Sequence, residues 1–124
     1  VDILMTMIRT RPGSVVCFEP EGGFLWGEIG SPAGYLDLHR RILVSGDRFD
    51  PLVEPPSLPL HVAAGAGIEP GAEWRGFLSV ECGARLERDT MLEDCVVLEG
   101  TIVPRGSRYK HAIVYRGGSV SANR

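Results

Sequence analysis

Hydrophobic residues recur every six positions over the second half of the chain. Counting from Val62, six of eight successive hexads begin with Val, Ile or Leu. The fourth position favours Gly or Asp, which tolerate a left-handed backbone, and the fifth favours small or β-branched residues. The hexads begin at Val62, Ile68, Trp74, Val80, Leu86, Leu92, Leu98 and Pro104, with Gly65, Gly71, Gly83 and Asp89 at the fourth position and Ala66, Ala72, Ala84, Thr90 and Val96 at the fifth. This register predicts a mainly β fold, a left-handed parallel β-helix of hexapeptide repeats over residues 61–116.

Three hexads close one triangular turn, so residues about eighteen apart should stack inside the coil. The expected interior ladders are Val62–Val80–Leu98, Ile68–Leu86–Pro104 and Trp74–Leu92–Lys110. A lysine does not lie unpaired in an apolar interior, so we expect the regular coil to end near Pro104. Residues 111–115 would then form a last strand, and residues 117–124 a flexible tail. An antiparallel barrel of short strands is the competing architecture, because the same residues also alternate in polarity.

The first half of the chain predicts a small α/β fragment, a hairpin plus a helix, over residues 1–46. An amphipathic helix is expected over residues 1–11, and two β-rich runs, 14–18 and 24–29, predict the hairpin. Ser31-Pro32 predicts the start of a second helix that ends near Val44. Four prolines within residues 47–60 predict a stiff linker. The expected apolar faces comprise Ile3, Leu4, Met7 and Ile8 in the first helix, and Tyr35, Leu36, Leu38, Ile42 and Leu43 in the second.

Composition agrees with a turn-rich β protein and narrows the function classes. The 124 residues include 16 Gly and 9 Pro, and only 7% are aromatic. The net charge of −3 has no basic stripe, so we expect no nucleic-acid partner. No apolar run is long enough to span a membrane, and three scattered cysteines are typical of reduced thiols, which predicts a cytoplasmic protein without membrane association. Because the chain opens on Val1, we expect it to derive from a longer protein.

One segment resembles a known family. Residues Trp26 to Leu36 read W-G-E-I-G-S-P-A-G-Y-L, similar to the W-x-D-[IV]-G-T-P-x-x-Y-L motif of sugar-phosphate nucleotidyltransferases, especially mannose-1-phosphate guanylyltransferases. In that family the motif closes the catalytic domain, and a left-handed β-helix often follows. The motif's acidic residue helps to hold Mg²⁺, which makes Glu28 a candidate metal ligand, although it is one methylene longer than the usual Asp. The alternative is a carboxylate that stabilises the N-terminus of the following helix.

The resemblance also shows what these residues lack. The family's glycine-rich G-x-G-[ST]-R loop and its first metal-binding aspartate do not occur in the sequence. We therefore expect residues 1–46 to be the end of a catalytic domain, with Mg²⁺ as a cofactor of the parent enzyme and Glu28 as only one part of an incomplete metal site. The chain alone should be inactive, with no catalytic residue and no cofactor. Its expected function is that of an assembly or regulatory module, self-associating through the β-helix and contacting the parent catalytic domain.

Two other functions remain open. Hexapeptide β-helices also occur in acyltransferases that use acyl-coenzyme A, with a histidine as general base, and His61 and His111 flank the coils. A small regulatory molecule could instead bind where two β-helices meet, with arginines supplying contacts to its anionic groups. The candidate arginines are Arg75, Arg85, Arg88, Arg105 and Arg108.

Overall fold

The computed structural model of the chain describes residues 2–19, 21, 26–45 and 59–122. It is mainly β, and its centre is a parallel β-helix of about three turns. Most of the predicted linker, and Phe24 and Leu25 of the predicted hairpin, lie outside the described residues. The described residues form α1 (Asp2–Thr10), α2 (Pro32–Leu43), β1 (Leu60–Val62), β2 (Gly67–Ile68), β3 (Glu73–Val80), β4 (Arg85–Leu86), β5 (Met91–Val97), β6 (Ile102–Val103), β7 (Arg108–Tyr115) and β8 (Gly118–Ser121).

Each strand of the β-helix pairs with the equivalent strand of the next turn. β1, β3, β5 and β7 run parallel in one sheet, and β2, β4 and β6 run parallel in a second. Across the first two turns the partners are eighteen residues apart, as for Leu60 with Leu78 and Ile68 with Leu86. Parallel pairing between turns excludes the antiparallel barrel. The predicted parallel β-helix is confirmed, and its left-handed sense stays a prediction.

A β-bulge in β3 shortens the repeat by one residue. Up to Arg75 the pairing partner lies eighteen residues further along, whereas from Leu78 it lies seventeen further along. The two residues between them, Gly76 and Phe77, lie opposite the single residue Asp94. A bulge accommodates an extra residue in this way without ending the sheet. All later turns keep the seventeen-residue repeat.

Because of the bulge, the observed interior ladders differ from the predicted ones. The partners of Val80, Leu86 and Leu92 are Val97, Val103 and Tyr109, so the predicted Leu98, Pro104 and Lys110 are wrong by one position. A strict period of six does not allow for the shortened turn, so it places each later partner one residue too far along the chain. Lys110 lies outside the coil, with Nζ 2.9 Å from Oε1 of Glu93. The coil therefore does not end near Pro104 but continues through β7.

Three columns of residues with positive φ form the corners of the coil. Glycine adopts this backbone without a steric penalty, whereas Asp and His are merely enriched among the other residues that do so. On the third corner, two of three positions carry a polar side chain instead of glycine. The first corner comprises Gly65, Gly83 and Gly100, the second Gly71, Asp89 and Gly106, and the third Gly76, Asp94 and His111.

The interior of the coil is mostly apolar. Ten buried residues form one cluster, and all are at most 3% exposed. Small residues occupy the positions after the corners, where Ala84, Thr90 and Thr101 are also buried. Cys95 is a free thiol of this interior, and Cys17 and Cys82 are free and exposed. The ten residues are Leu78, Val80, Ala84, Leu86, Leu92, Cys95, Val97, Val103, Ala112 and Val114.

Helix α2 packs on the outside of the coil. Ser31 caps it, because the Oγ atom accepts a hydrogen bond of 3.1 Å from the Gly34 amide, as its sequence predicts. Leu36 and Leu43 are its buried residues, two helical turns apart on one face. They contact outward-facing residues of the strands, chiefly Phe77 and Val96. The helix thus covers one face of the β-helix and positions its own polar side chains beside the third corner.

Two segments differ from expectation. Residues 14–18 and 26–29 form no strand, so the hairpin prediction is wrong for the described residues; Val16 and Phe18 are each 87% exposed and have no sheet to join. Gly118–Ser121, predicted as part of a flexible tail, form β8 instead, which pairs antiparallel with β7. The tail folds back because the last turn of the coil offers an unpaired strand edge. Neither helix in the described part of the chain has the length and apolar character that a membrane span requires.

Candidate functional site

A cleft of about 200 Å³ lies between α2 and the third corner of the β-helix. Four of its lining side chains are charged or titratable: Asp37 and Arg40 from α2, Asp94 from β5 and His111 from β7. Asp37 and Arg40 form an ion pair of 2.7 Å, and both remain partly exposed. Apolar walls complete the cleft. These are Ala33, Leu36, Phe77 and Ala122.

The third corner holds Asp94 and His111 one above the other. Oδ1 of Asp94 accepts a hydrogen bond of 3.2 Å from the backbone N–H of Phe77, the bulge residue. Oδ2 lies 3.2 Å from Nδ1 of His111. The glycine below them is required for this arrangement, because a Cβ on Gly76 would collide with Oδ1 of Asp94. The bulge, the glycine and the carboxylate therefore form one unit that orients the imidazole.

Glu93 places a second carboxylate beside Asp94 and His111 at the third corner. Its Oε1 is paired with Nζ of Lys110, and this hydrogen bond is the main reason why the pKa of Glu93 lies below its ordinary value. One donor atom each from Glu93, Asp94 and His111 lies within 4.8 Å of the other two. All three residues are half-buried. The group offers either an oriented imidazole for proton transfer or a set of three ligands for a cation.

Glu28, the metal ligand suggested by the resemblance, is exposed and serves a local turn. Its Oε1 accepts a hydrogen bond of 2.6 Å from the Gly30 amide, and its carbonyl lies where a Cβ on Gly34 would collide with it. Nη1 of Arg41 donates to the carbonyl of Trp26 at 2.7 Å. The motif is thus a tight turn packed against the first turns of α2. Within the described residues Glu28 belongs to no group of three metal-binding side chains, and its metal role stays a prediction.

The candidate histidines and arginines lie in different surroundings. His61 lies exposed in β1, in the first turn, whereas His111 lies in the cleft of the last turn. Arg85 is paired with Glu69, and Arg105 with Asp89 at 2.8 Å, each across neighbouring turns. Carboxylates therefore already engage two of the five arginines considered for anion binding.

Glu93 and Asp94 were not predicted from the sequence as site residues. The signal was present, since Gly83 and Gly100, like Asp89 and Gly106, are seventeen residues apart. That spacing places Asp94 and His111 in one column, which a fixed period of six does not.

Comparison of the chain with protein-family models, with curated proteins and with solved structures finds no match.

Proposed function

We propose that the chain is a non-catalytic assembly and regulatory module of a sugar-1-phosphate nucleotidyltransferase, with a mannose-1-phosphate guanylyltransferase as the parent. In the parent reaction an oxygen of the sugar 1-phosphate would attack the α-phosphorus of a nucleoside triphosphate, forming the nucleotide-sugar and releasing pyrophosphate, and Mg²⁺ would be the cofactor of that reaction. The order of motif, helix and β-helix supports this proposal. Support also comes from α2, which begins within the motif and packs on the coil through Leu36 and Leu43.

The observation that carries the proposal is the apolar surface of the N-terminal segment. In α1 the apolar face includes Ile3 and Ile8, 79% and 46% exposed, and no residue of this helix is buried. In the motif, Trp26 and Ile29 are 68% and 60% exposed. Large apolar side chains exposed together are typical of surfaces that contact other protein. The proposed occupant is the parent catalytic domain, to which the resemblance assigns this segment.

Self-association would use the first turn of the coil. Among the described strands, β1 and β2 are the sheet edges at the first turn, as β8 and β6 are at the last, and the apolar ladder ends at Val62, which is 44% exposed. Open parallel edges over an apolar interior favour pairing with another copy.

Light scattering of the purified chain tests self-association. We expect a dimer or larger species that Val62→Lys converts to monomer. The matched control is Ile102→Lys, a charge on an outward position that is 62% exposed in the last turn, and it should leave the mass unchanged. A wild-type chain that is monomeric at every concentration would contradict assembly through the β-helix.

Pyrophosphate release tests the non-catalytic part of the proposal. The chain alone, given GTP, mannose 1-phosphate and Mg²⁺, should release no more pyrophosphate than buffer does. Turnover that disappears in Glu28→Gln would contradict the proposal and assign a catalytic role to that carboxylate.

A second candidate, acyl transfer, is favoured by one observation. Asp94 lies 3.2 Å from Nδ1 of His111, which is the way a carboxylate orients a catalytic imidazole. Calorimetry with acetyl-coenzyme A distinguishes the two functions. Micromolar affinity that is lost in His111→Asn would favour the acyltransferase and count against the assembly module.

A further inference from the structure

We propose that Glu93, Asp94 and His111 form a binding site for a divalent transition-metal ion of the zinc type. The ligands would be two carboxylate oxygens and one imidazole nitrogen. The site lies at the third corner of the β-helix, next to the cleft under α2. It is separate from Glu28 and does not depend on the parent activity.

The distances fit a small ion. Zinc lies about 2.0–2.2 Å from oxygen and nitrogen ligands, so two ligand atoms of a tetrahedral site are about 3.3–3.5 Å apart. Oδ2 of Asp94 and Nδ1 of His111 are 3.2 Å apart, and the Glu93 oxygen lies within 4.8 Å of both. The ion would lie between Oδ2 of Asp94 and an unprotonated Nδ1 of His111. Little movement is needed, and the imidazole proton then resides on Nε2.

The surrounding residues hold the ligands in place. The Phe77 amide binds Oδ1 of Asp94, which leaves Oδ2 directed to His111. Gly76 gives the carboxylate its space. Partners that fix a ligand's orientation raise metal affinity. Asp94 and His111 also keep positive φ values of 51° and 47°, at a corner column whose first position is glycine. Non-glycine residues in this conformation concentrate where function requires a particular side chain.

The ligand types select the ion. A set with one nitrogen and two oxygens suits Zn²⁺ or Co²⁺, whereas Ca²⁺ takes six to eight oxygens and Mg²⁺ keeps an octahedral oxygen shell. Three protein ligands leave one tetrahedral position for water or an anion.

Lys110 competes with the ion for Glu93. Its Nζ lies 2.9 Å from Oε1, and its side chain is 62% exposed, so it can turn to solvent when the metal binds. Replacing Lys110 by Met removes the competing charge. The proposal thus predicts one variant that binds the metal more tightly as well as variants that bind it less tightly.

Titration of the metal-free chain with Zn²⁺ by calorimetry, and with Co²⁺ by visible absorption, tests the site. We expect one ion per chain, with the strong visible bands of four-coordinate Co²⁺. His111→Asn, which tolerates the left-handed backbone, and Glu93→Gln should each weaken binding by at least about tenfold. Lys110→Met should strengthen it about two- to fivefold. His61→Asn and Cys82→Ser, both at exposed residues outside the site, should bind as the wild type does.

A thermal melt of each variant without metal shows that the fold is intact, and Zn²⁺ should raise the wild-type melting temperature but not that of His111→Asn. The proposal is wrong if the wild-type chain binds neither ion. It is also wrong if His111→Asn and Glu93→Gln keep the wild-type affinity, or if Cys82→Ser abolishes binding.

Discussion

The interior of the β-helix and the outer face beneath α2 are built from alternate residues of the same strands. In β5, Cys95 and Val97 belong to the interior cluster, while Val96 between them belongs to the cluster with α2. Interior residues are at most 3% exposed, whereas Leu36 and Leu43 of the helix are 6% and 9% exposed. The interior repeats the same contacts turn after turn. The outer face is formed once, by a single helix, with a cleft at its side.

The two regions therefore have different roles: the interior stabilises the fold, and the outer face positions polar groups. Stacked identical ladders distribute apolar burial over every turn, so the coil is a rigid frame. A single helix laid on that frame leaves room for polar groups that a filled interior would exclude, because unpaired polar groups are costly to bury. Asp37, Arg40, Asp94 and His111 all lie at this boundary.

The interior should give the largest loss of stability when it is disturbed. Leu86 is fully buried between Ile68 and Val103 in a ladder. Leu86→Ala should lower the free energy of unfolding by about 3–5 kcal/mol, because it removes apolar contacts and leaves a cavity. Urea unfolding followed by circular dichroism measures this change. Ile102→Ala, at a 62% exposed position of the neighbouring turn, is the control, and equal effects would show that the interior is not the stabilising part.

Disturbing the interface between α2 and the coil should cost less stability, and the effect should stay local to the helix. Leu36→Ala should lower the free energy of unfolding by about 2–3 kcal/mol, since Leu36 lies at the edge of a smaller cluster. Hydrogen exchange should show faster exchange in α2 and unchanged protection in β3 and β5. Leu4→Ala in α1, at a residue 51% exposed, should change neither measurement. Loss of protection throughout the strands would mean that α2 and the coil unfold as one unit.

A substitution at the third corner should lower the free energy of unfolding by a smaller amount. Gly76 has a φ of 66°, and an added Cβ would collide with Oδ1 of Asp94. Gly76→Ala should therefore lower the free energy of unfolding by about 1–2 kcal/mol. Gly67→Ala is the matched control, because its added Cβ meets nothing within 4 Å and it lacks a positive φ. Equal stability of the two variants would contradict the fit between Gly76 and Asp94.

The two regions also differ in how far the sequence predicts them. The coil was predictable because Val62, Val80 and Leu86 repeat a pattern that the fold needs in every turn. The start of the helix at Ser31 was predictable because capping depends on residues that are close together in the sequence. The site was not predicted, because Asp94 and His111 meet through the seventeen-residue offset of β5 and β7, which a fixed period of six misses. The corner residues Gly83 and Gly100 carry the seventeen-residue spacing, but a period set by the first turns does not include it.

The smallest expected effect concerns the only cysteine inside the coil. Burial raises the pKa of the Cys95 thiol from 9.0 to about 11, because the apolar interior disfavours the thiolate. Below pH 9 the thiol is protonated in both the folded and the unfolded chain, so the folded state keeps its full stability. Between pH 9 and 11 the unfolded chain releases this proton first, and by pH 10 the free energy of unfolding falls by about 1 kcal/mol.

Urea unfolding at several pH values between 8 and about 10.5, compared between the wild type and Cys95→Ala, isolates this contribution. The variant is less stable at pH 8, where it lacks the buried sulfur, but its stability should fall less steeply with pH. Every other titrating group is common to both chains, so the difference in slope belongs to Cys95. A label for thiols should also react with Cys17 and Cys82, both exposed, before Cys95. Parallel slopes together with rapid labelling of Cys95 would show that the interior opens to water, and the contrast with the outer face would then fail.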